Sequence, residues 1–264
     1  MSRAFYTYRW TVSFSRPVRG HSFLLRCTPA HNHFQHVESS SRAVFYNPQG
    51  ERSTLFLAED CFGNIVYSGL INQDHDYFEV RTEGEVELAP EYLIPDMYPN
   101  HVFLYETDLT QAGEAVLRLL DEAALDDRAS EGEKALVLCE AAHRAVSYTP
   151  GETGTGTSAE EALRTGRGVC QDFAHILISL LRKKSISARY VTGFIEGEGA
   201  THAWVEYHDG AAWRALDPTH NRSVRSSYVK LSHGRDFADC SIERGIFTGA
   251  AGQTMEVSVK VKIS

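Results

Sequence analysis

One cysteine, one histidine and one aspartate stand in sequence contexts that suit nucleophilic catalysis. Cys170 follows a glycine-containing turn and opens a segment whose apolar residues recur at helical spacing. The start of a helix presents free backbone N–H groups and the positive end of the helix dipole, and both favour a thiolate. Downstream, His202 lies in Thr-His-Ala-Trp-Val-Glu and Asp217 lies in Leu-Asp-Pro-Thr. A nucleophile, a base and a carboxylate that orients the base form a triad, so these three are the predicted catalytic residues.

Three further residues near this group need an interpretation. His175 lies five residues beyond Cys170, an offset that does not place two side chains on one helix face, so His202 is preferred as the base. Asp172 falls in the first helical turn, where capping explains it, although it could also hydrogen-bond in the site. Trp204 alternates with His202 along a predicted strand. It is predicted either to wall a substrate-binding cleft or to pack in the core.

These residues also carry a family resemblance. The stretches Gly-Val-Cys-Gln-Asp-Phe-Ala-His, Ala-Arg-Tyr-Val, His-Ala-Trp-Val-Glu and Leu-Asp-Pro-Thr, in this order, resemble the core motifs of the transglutaminase-like superfamily. The N-terminal half, with Asp-Cys-Phe-Gly-Asn at 60–64, resembles the β-rich domain that precedes this core in bacterial members. The resemblance implies a papain-like fold and thioester chemistry at a Cys170–His202–Asp217 triad. One departure is Lys-Ser-Ile-Ser-Ala at 184–188, where members usually have Gly-Ile-Pro-Ala.

Composition limits the partners and the location. The net charge of −9 argues against a nucleic-acid-binding surface, and no apolar run is long enough for a transmembrane helix. Five cysteines without CxxC pairs do not indicate a disulfide framework, and the N-terminus lacks a signal-peptide pattern. A reducing cytoplasm is therefore the predicted compartment, with no membrane or nucleic-acid partner.

Two patterns resemble metal sites but are not interpreted as such. His31, His33 and His36 cluster without a cysteine or carboxylate at ligand spacing, which favours a solvated loop. Residues 72–83 match part of an EF-hand loop, but Tyr77 stands where the loop needs glycine. No metal and no cofactor are predicted.

The order of the predicted elements indicates an α+β protein. Alternating residues predict strands at both ends of the chain, and short β-type runs recur between residues 22 and 88, as in a β-sandwich. Helices are predicted around 116–124, 135–146, 158–166 and from 170, followed by strands at 188–195, 203–207 and 212–216. A proline-rich connection at 90–99 predicts two domains, 1–100 and 101–264, with the last strand, 254–263, packing with either.

The predicted function is acyl transfer on an amide or peptide substrate through a thioester at Cys170. Hydrolysis, by a protease or amidase, is preferred. Transfer to an amine, as in a transglutaminase, and a non-catalytic protein-binding module on the same fold are the alternatives.

Overall fold

The computed structural model describes all 264 residues as two antiparallel sheets, a small strand pair and a group of helices. The longer strands are β1 (Ser2–Leu25), β2 (Gln35–Phe45), β3 (Phe56–Glu59), β4 (Ile65–Ile71), β5 (His75–Leu88), β9 (Ala188–Ile195), β11 (His202–His208), β12 (Ala212–Asp217), β14 (Tyr228–Gly234), β15 (Glu243–Thr248) and β16 (Gln253–Ile263). The short ones are β6 (Ile94–Pro95), β7 (Ser147–Tyr148), β8 (Arg167–Gly168), β10 (Gly197–Gly199) and β13 (Arg222–Ser223). The helices are α1 (Glu114–Glu122), α2 (Glu131–Ala145), α3 (Ala159–Thr165), α4 (Cys170–Lys183) and α5 (Phe237–Cys240), with a 3₁₀ turn at His101–Leu104.

The first sheet has eight strands and is organised by β1, which is 24 residues long. The first half of β1 pairs with β5 and β16, and its second half pairs with β4 and β15. The register shifts between Ser13 and Val18, where the partners change. The predicted sandwich is therefore one continuous sheet in which a single strand serves both halves, and we call it the β region. Alternating side chains of β1, many of them aromatic, and apolar side chains of β5 are buried in its core.

The second sheet has six strands, in the order β13-β12-β11-β9-β14 with β6 beside β12. Helix α4 packs against β11 and β9 on one face, together with α1, α2 and α3. The opposite face carries Phe194, Trp204 and Tyr228, which share a core with Tyr6 and Tyr8 of the β region. The structure thus combines helices with antiparallel sheets, as the α+β pattern predicts.

The chain passes between the two sheets more than once. β6 joins the six-stranded sheet, whereas β10, β15 and β16 join the β region. The last strand pairs with β1 from Ala4 to Phe14, which resolves the two options left open for it. Residues 243–263 therefore belong structurally with the β region. The predicted 101–264 range holds the helices and the six-stranded sheet except β6, but it also holds strands of the other sheet. No helix is both long enough and apolar enough to cross a membrane.

The turn after α4 contains the departure from the family pattern. Ser185 has φ 58°, in the left-handed region that favours glycine, and a family member would usually have glycine here. The turn nevertheless closes, because the Ser185 and Ile186 N–H groups donate to carbonyls of Arg182 and Leu181.

Candidate active site

Cys170 is the first residue of α4 and is partly exposed, whereas residues 171 to 182 of the helix are all buried. The helix start is held by Asp172, whose Oδ2 accepts the Val169 N–H at 2.7 Å. Gly168 permits this contact, because a Cβ at that position would lie 2.7 Å from the Asp172 Cβ. The thiol therefore sits at the exposed end of an otherwise enclosed helix.

His202 is the residue that the structure brings to this thiol. It begins β11, is 8% exposed, and its Nε2 lies 2.8 Å from Asp217 Oδ2 at the end of β12. Burial alone would lower the pKa of His202, but the hydrogen bond to Asp217 and the nearby Cys170 outweigh it and raise the pKa to about 9. Because Nε2 is hydrogen-bonded to the Asp217 carboxylate, Nδ1 is the ring nitrogen that remains to interact with the Cys170 sulfur. The three predicted catalytic residues thus form one connected group.

Asp217 is fully buried and accepts hydrogen bonds on both oxygens. Besides His202, its Oδ2 accepts from His220 Nδ1 at 2.7 Å and from the Tyr228 hydroxyl at 2.7 Å. Its Oδ1 accepts the backbone N–H groups of Thr219 at 2.9 Å and His220 at 3.3 Å. Burial opposes ionisation, yet these donors hold the pKa of Asp217 well below its usual range. The carboxylate is therefore ionised and fixed in orientation.

His220 and Tyr228 are site residues that sequence reasoning missed. His220 follows Asp217 by three residues, but only the turn after Leu-Asp-Pro-Thr brings its ring back to the carboxylate. Tyr228 opens β14, which was not predicted, and it also accepts a hydrogen bond from Arg222 Nε at 2.9 Å. Both faces of β14 are buried, so its sequence lacks the polar alternation by which a strand is recognised.

The predicted role of Trp204 as a cleft wall is corrected by its burial. Its ring lies 6.4 Å from that of His202, so the two side chains do share a face, but Trp204 is 0% exposed. It packs edge-on against Tyr228 at 5.3 Å and so tightly over Gly193 that a Cβ there would lie 2.5 Å from the indole. Trp204 therefore supports the site from the core, which is the packing alternative.

Asp172 is 1% exposed, so it is placed to hold the helix start rather than to contact a substrate. Its Oδ2 also accepts from the Thr153 hydroxyl at 2.7 Å, and the Gln171 amide donates to the carbonyls of Gly154 and Thr155. The segment at 148–157, whose richness in glycine and threonine is typical of a mobile loop, is thereby tied to the start of α4. Burial raises the pKa of Asp172.

His175 has a separate structural position. It is fully buried, and its Nε2 accepts the Phe237 N–H at the start of α5. Burial lowers the pKa of His175 to about 4, so this ring is neutral.

Tyr148 is an exposed side chain near the thiol. Partial burial of its ring, and then the nearby Cys170, raise the pKa of its phenol.

His202, Asp217 and His220 could together hold a metal ion, since their ligand atoms lie within 4.8 Å of one another. The two histidine nitrogens already donate to one carboxylate oxygen. An ion at this point would have to displace both protons, and it would occupy the nitrogen that orients His202. The arrangement fits a hydrogen-bonded base better than a metal centre. The histidines at 31 and 36 pair with each other at 3.2 Å on the surface.

Comparison with known proteins adds to this geometry. Residues 119–218 match the core of the transglutaminase-like superfamily, and residues 6–87 match the bacterial transglutaminase-like N-terminal region. An uncharacterized protein of Mycobacterium leprae is 35% identical over 126 residues, which are 44% of this chain and 45% of that protein. The chain thus aligns with less than half the length of this relative. An uncharacterized protein of Mycobacterium tuberculosis is 28% identical over 247 residues, covering 80% of this chain and 77% of that protein.

Among solved structures, a proposed cysteine protease from Cytophaga hutchinsonii has the same fold. It superposes with a TM-score of 0.77 at 23% identity, over 99% of this chain and 91% of that one. The N-terminal and core matches occur in the same order as the two sheets described above. The chain belongs to the transglutaminase-like superfamily and carries the N-terminal region found in its bacterial members.

Proposed function

We propose that the protein is a cysteine-dependent acyl-transfer enzyme that forms a thioester at Cys170 with an amide or peptide substrate. The observation that carries this proposal is the connection of Cys170, His202 and Asp217, with the sulfur at an exposed helix start. The raised pKa of His202, about 9, supports an imidazolium beside the sulfur at neutral pH. Asp217 keeps the imidazole in one orientation through Nε2.

The proposed reaction has two stages. Cys170 Sγ, having lost its proton to His202, attacks the amide carbon, and the carbonyl oxygen takes up negative charge. His202 then gives the proton to the leaving nitrogen, so the C–N bond breaks and a thioester and a free amine result. In the second stage His202 takes a proton from water, which attacks the thioester, and the C–S bond breaks to release a carboxylic acid. The thiol is restored, so the cycle needs no redox partner and no metal.

The negative oxygen requires hydrogen-bond donors. The Cys170 backbone N–H lies at the first position of α4, where a helix leaves N–H groups without an intrahelical acceptor. It is the donor we assign to the oxyanion. We assign the exposed phenol of Tyr148, whose pKa the nearby Cys170 helps to raise, to contact with the substrate or the oxyanion at the mouth of the site.

Hydrolysis is the preferred outcome, because the sulfur lies at the surface and water can reach the thioester. Peptides or protein amides are the proposed substrates, since an exposed site accepts a segment of a larger chain. The cytoplasmic location predicted from the cysteines remains a prediction.

The test is intact-mass analysis of a peptide library incubated with the protein, with and without a primary amine. Cleaved peptides indicate a protease. A peptide mass that rises by about one unit indicates deamidation, and a peptide mass that rises because the amine has been incorporated indicates a transglutaminase. Cys170→Ala should abolish every product, whereas Cys61→Ser, at an exposed free cysteine elsewhere, should abolish none. Products that persist in Cys170→Ala would contradict the proposal, and a wild-type protein that binds peptides without changing them would favour the binding-module alternative.

A further inference from the structure

A second buried cluster of charges lies on the same strand as His202. Glu206 is fully buried on β11 and accepts hydrogen bonds from Arg189 Nε, from the Tyr92 hydroxyl and from Lys230 Nζ, the last at 2.7 and 3.0 Å. Arg189 is 7% and Lys230 5% exposed. Two buried cations thus share one carboxylate, and the cluster keeps one positive charge in excess. An uncompensated buried charge is costly, so this excess needs an explanation.

The guanidinium of Arg189 has unused donors. Its Cζ lies over the Trp213 ring, 4.0 Å from the centroid, and Nε is its one atom that donates to the protein. Its two terminal amino groups, Nη1 and Nη2, have no protein acceptor. A guanidinium fixed by stacking and by one ion pair presents these groups as a rigid fork, the geometry that matches a carboxylate or a phosphate.

Arg189 lines a cavity of about 250 Å³ where the β region meets the six-stranded sheet. Arg189, Lys230 and His233 line it from the sheet, and His31, Asn32 and Phe62 line it from loops of the β region. The His233 ring nitrogens have no protein partner, since only the backbone of His233 is bonded, to Asn64. Burial, Lys230 and Arg189 hold the pKa of His233 well below its usual range, which reports a positive field in the cavity.

We propose that this cavity, which we call the junction cavity, binds a small oxyanion, a free phosphate or a small carboxylate, on Arg189, Lys230 and His233. The anion would accept from the two free amino groups of Arg189 and from an N–H of His233, and it would balance the excess charge of the Glu206 cluster. Because the walls come from both sheets, a bound anion would also hold the β region against the catalytic core. The site is separate from Cys170.

The experiment measures the melting temperature and, by titration calorimetry, the affinity for sodium phosphate and sodium malonate, each against sodium chloride at matched ionic strength. We expect phosphate or malonate to raise the melting temperature of the wild type more than chloride does. The anion with the higher affinity identifies the preferred chemistry. Equal effects of all three salts would overturn the proposal.

Two variants locate the binding. Arg189→Lys keeps a cation beside Glu206 but removes the fork, and His233→Phe removes a ring donor while keeping an aromatic ring beside Phe62 and Phe103. Each should weaken the preferred anion at least tenfold. Arg118→Lys, on an exposed position of α1, is the matched control and should not change the affinity. An unchanged affinity in His233→Phe would overturn the site even if Arg189→Lys does not fold. Cys170→Ala should bind the anion as the wild type does, so this test stands apart from that of the proposed function.

Discussion

Strand β11 contributes one residue to each of two buried carboxylate networks, His202 to that of Asp217 and Glu206, four residues later, as the carboxylate of the second. The two networks are built from different donors. At His202, the carboxylate of Asp217 is held by two histidines and a tyrosine, all able to release or share a proton. At Glu206, the carboxylate is held by an arginine, a lysine and a tyrosine. The pKa of Glu206 is lowered to about 2: burial opposes this, but Arg189 and Lys230 outweigh it.

The difference in donors indicates a different role for each network, one suited to catalysis and the other to stabilising the fold. The His202 network contains a base whose pKa lies at about 9, so its charge changes within an accessible pH range, and it ends at a partly exposed thiol. The Glu206 network is a carboxylate between two cations that are charged at neutral pH, and it contains no exposed nucleophile. We therefore expect substitutions in the first to reduce turnover and substitutions in the second to reduce stability.

The largest expected effect is that of Cys170→Ala on turnover. Without the sulfur no thioester forms, so kcat should fall by at least about 1000-fold, while the melting temperature should change little because the side chain lies at a partly exposed helix start. Turnover and thermal unfolding, measured on the same preparation, check both parts. A variant that keeps activity within tenfold of the wild type would remove Cys170 from the mechanism.

Glu206→Gln should show the opposite pattern, in which the main loss is of stability and not of turnover. It leaves Arg189 and Lys230 buried without a counter-charge, which costs on the order of 3–5 kcal/mol of unfolding free energy. Urea denaturation measures this loss, with Glu140→Gln as the control, because Glu140 pairs with Arg144 on the surface. If both variants lose the same small amount, the Glu206 cluster does not stabilise the fold as the comparison requires.

The sequence contains enough to predict that Cys170, His202 and Asp217 lie near one another, because each lies in a motif with a local signature: a helix start, a strand start and a strand end. It is insufficient for His220 and Tyr228, since their contacts with Asp217 depend on a turn and on a strand buried on both faces. The charge cluster was missed for another reason. Tyr92, Arg189, Glu206 and Lys230 come from distant segments, and only the pairing of β9 with β11 and β14 brings three of them together.

The pH dependence of stability provides a third prediction. The pKa of His202 rises from about 6.5 in the unfolded chain to about 9 in the folded protein, so its contribution is complete below pH 6.5 and is lost as the pH rises through 9. The wild type should lose on the order of 2–3 kcal/mol relative to His202→Gln between pH 6 and 10. Lys230, whose pKa burial lowers to about 8, acts in the opposite direction but is present in both proteins. If the unfolding free energies of the wild type and of His202→Gln change with pH in parallel, the raised pKa assigned to His202 is contradicted.

His220→Ala should have a smaller effect on turnover. Asp217 keeps its bonds to His202 and Tyr228, so we expect about a tenfold fall in kcat, near 1.4 kcal/mol. The apparent pKa of the His202 limb of the pH–rate profile should rise, because Asp217 loses a donor that competes with His202 for its negative charge. His143→Ala, at a partly buried ring bonded to the Pro218 carbonyl, is the control for packing in this region. A lower rate with an unmoved profile would assign His220 a structural role only.

The smallest expected effect is a gain. Ser185→Gly should stabilise the protein by about 0.5–1 kcal/mol, because glycine adopts the positive φ of this turn without strain. Ser187→Gly, at a residue without positive φ, should not stabilise it. Chemical denaturation of the two variants beside the wild type distinguishes the results, and turnover should be unchanged in both.

The pairing of β16 with β1 has a consequence for folding kinetics. Eleven residue pairs join strands separated by some 240 residues of chain, and β15 adds more pairs of similar separation. Contacts so distant in sequence form late, since a long loop must close before they contribute free energy. During synthesis the first half of β1 therefore waits with one edge unpaired until the last strand emerges. Folding of the β region should thus be slow, and it should be the stage most exposed to aggregation.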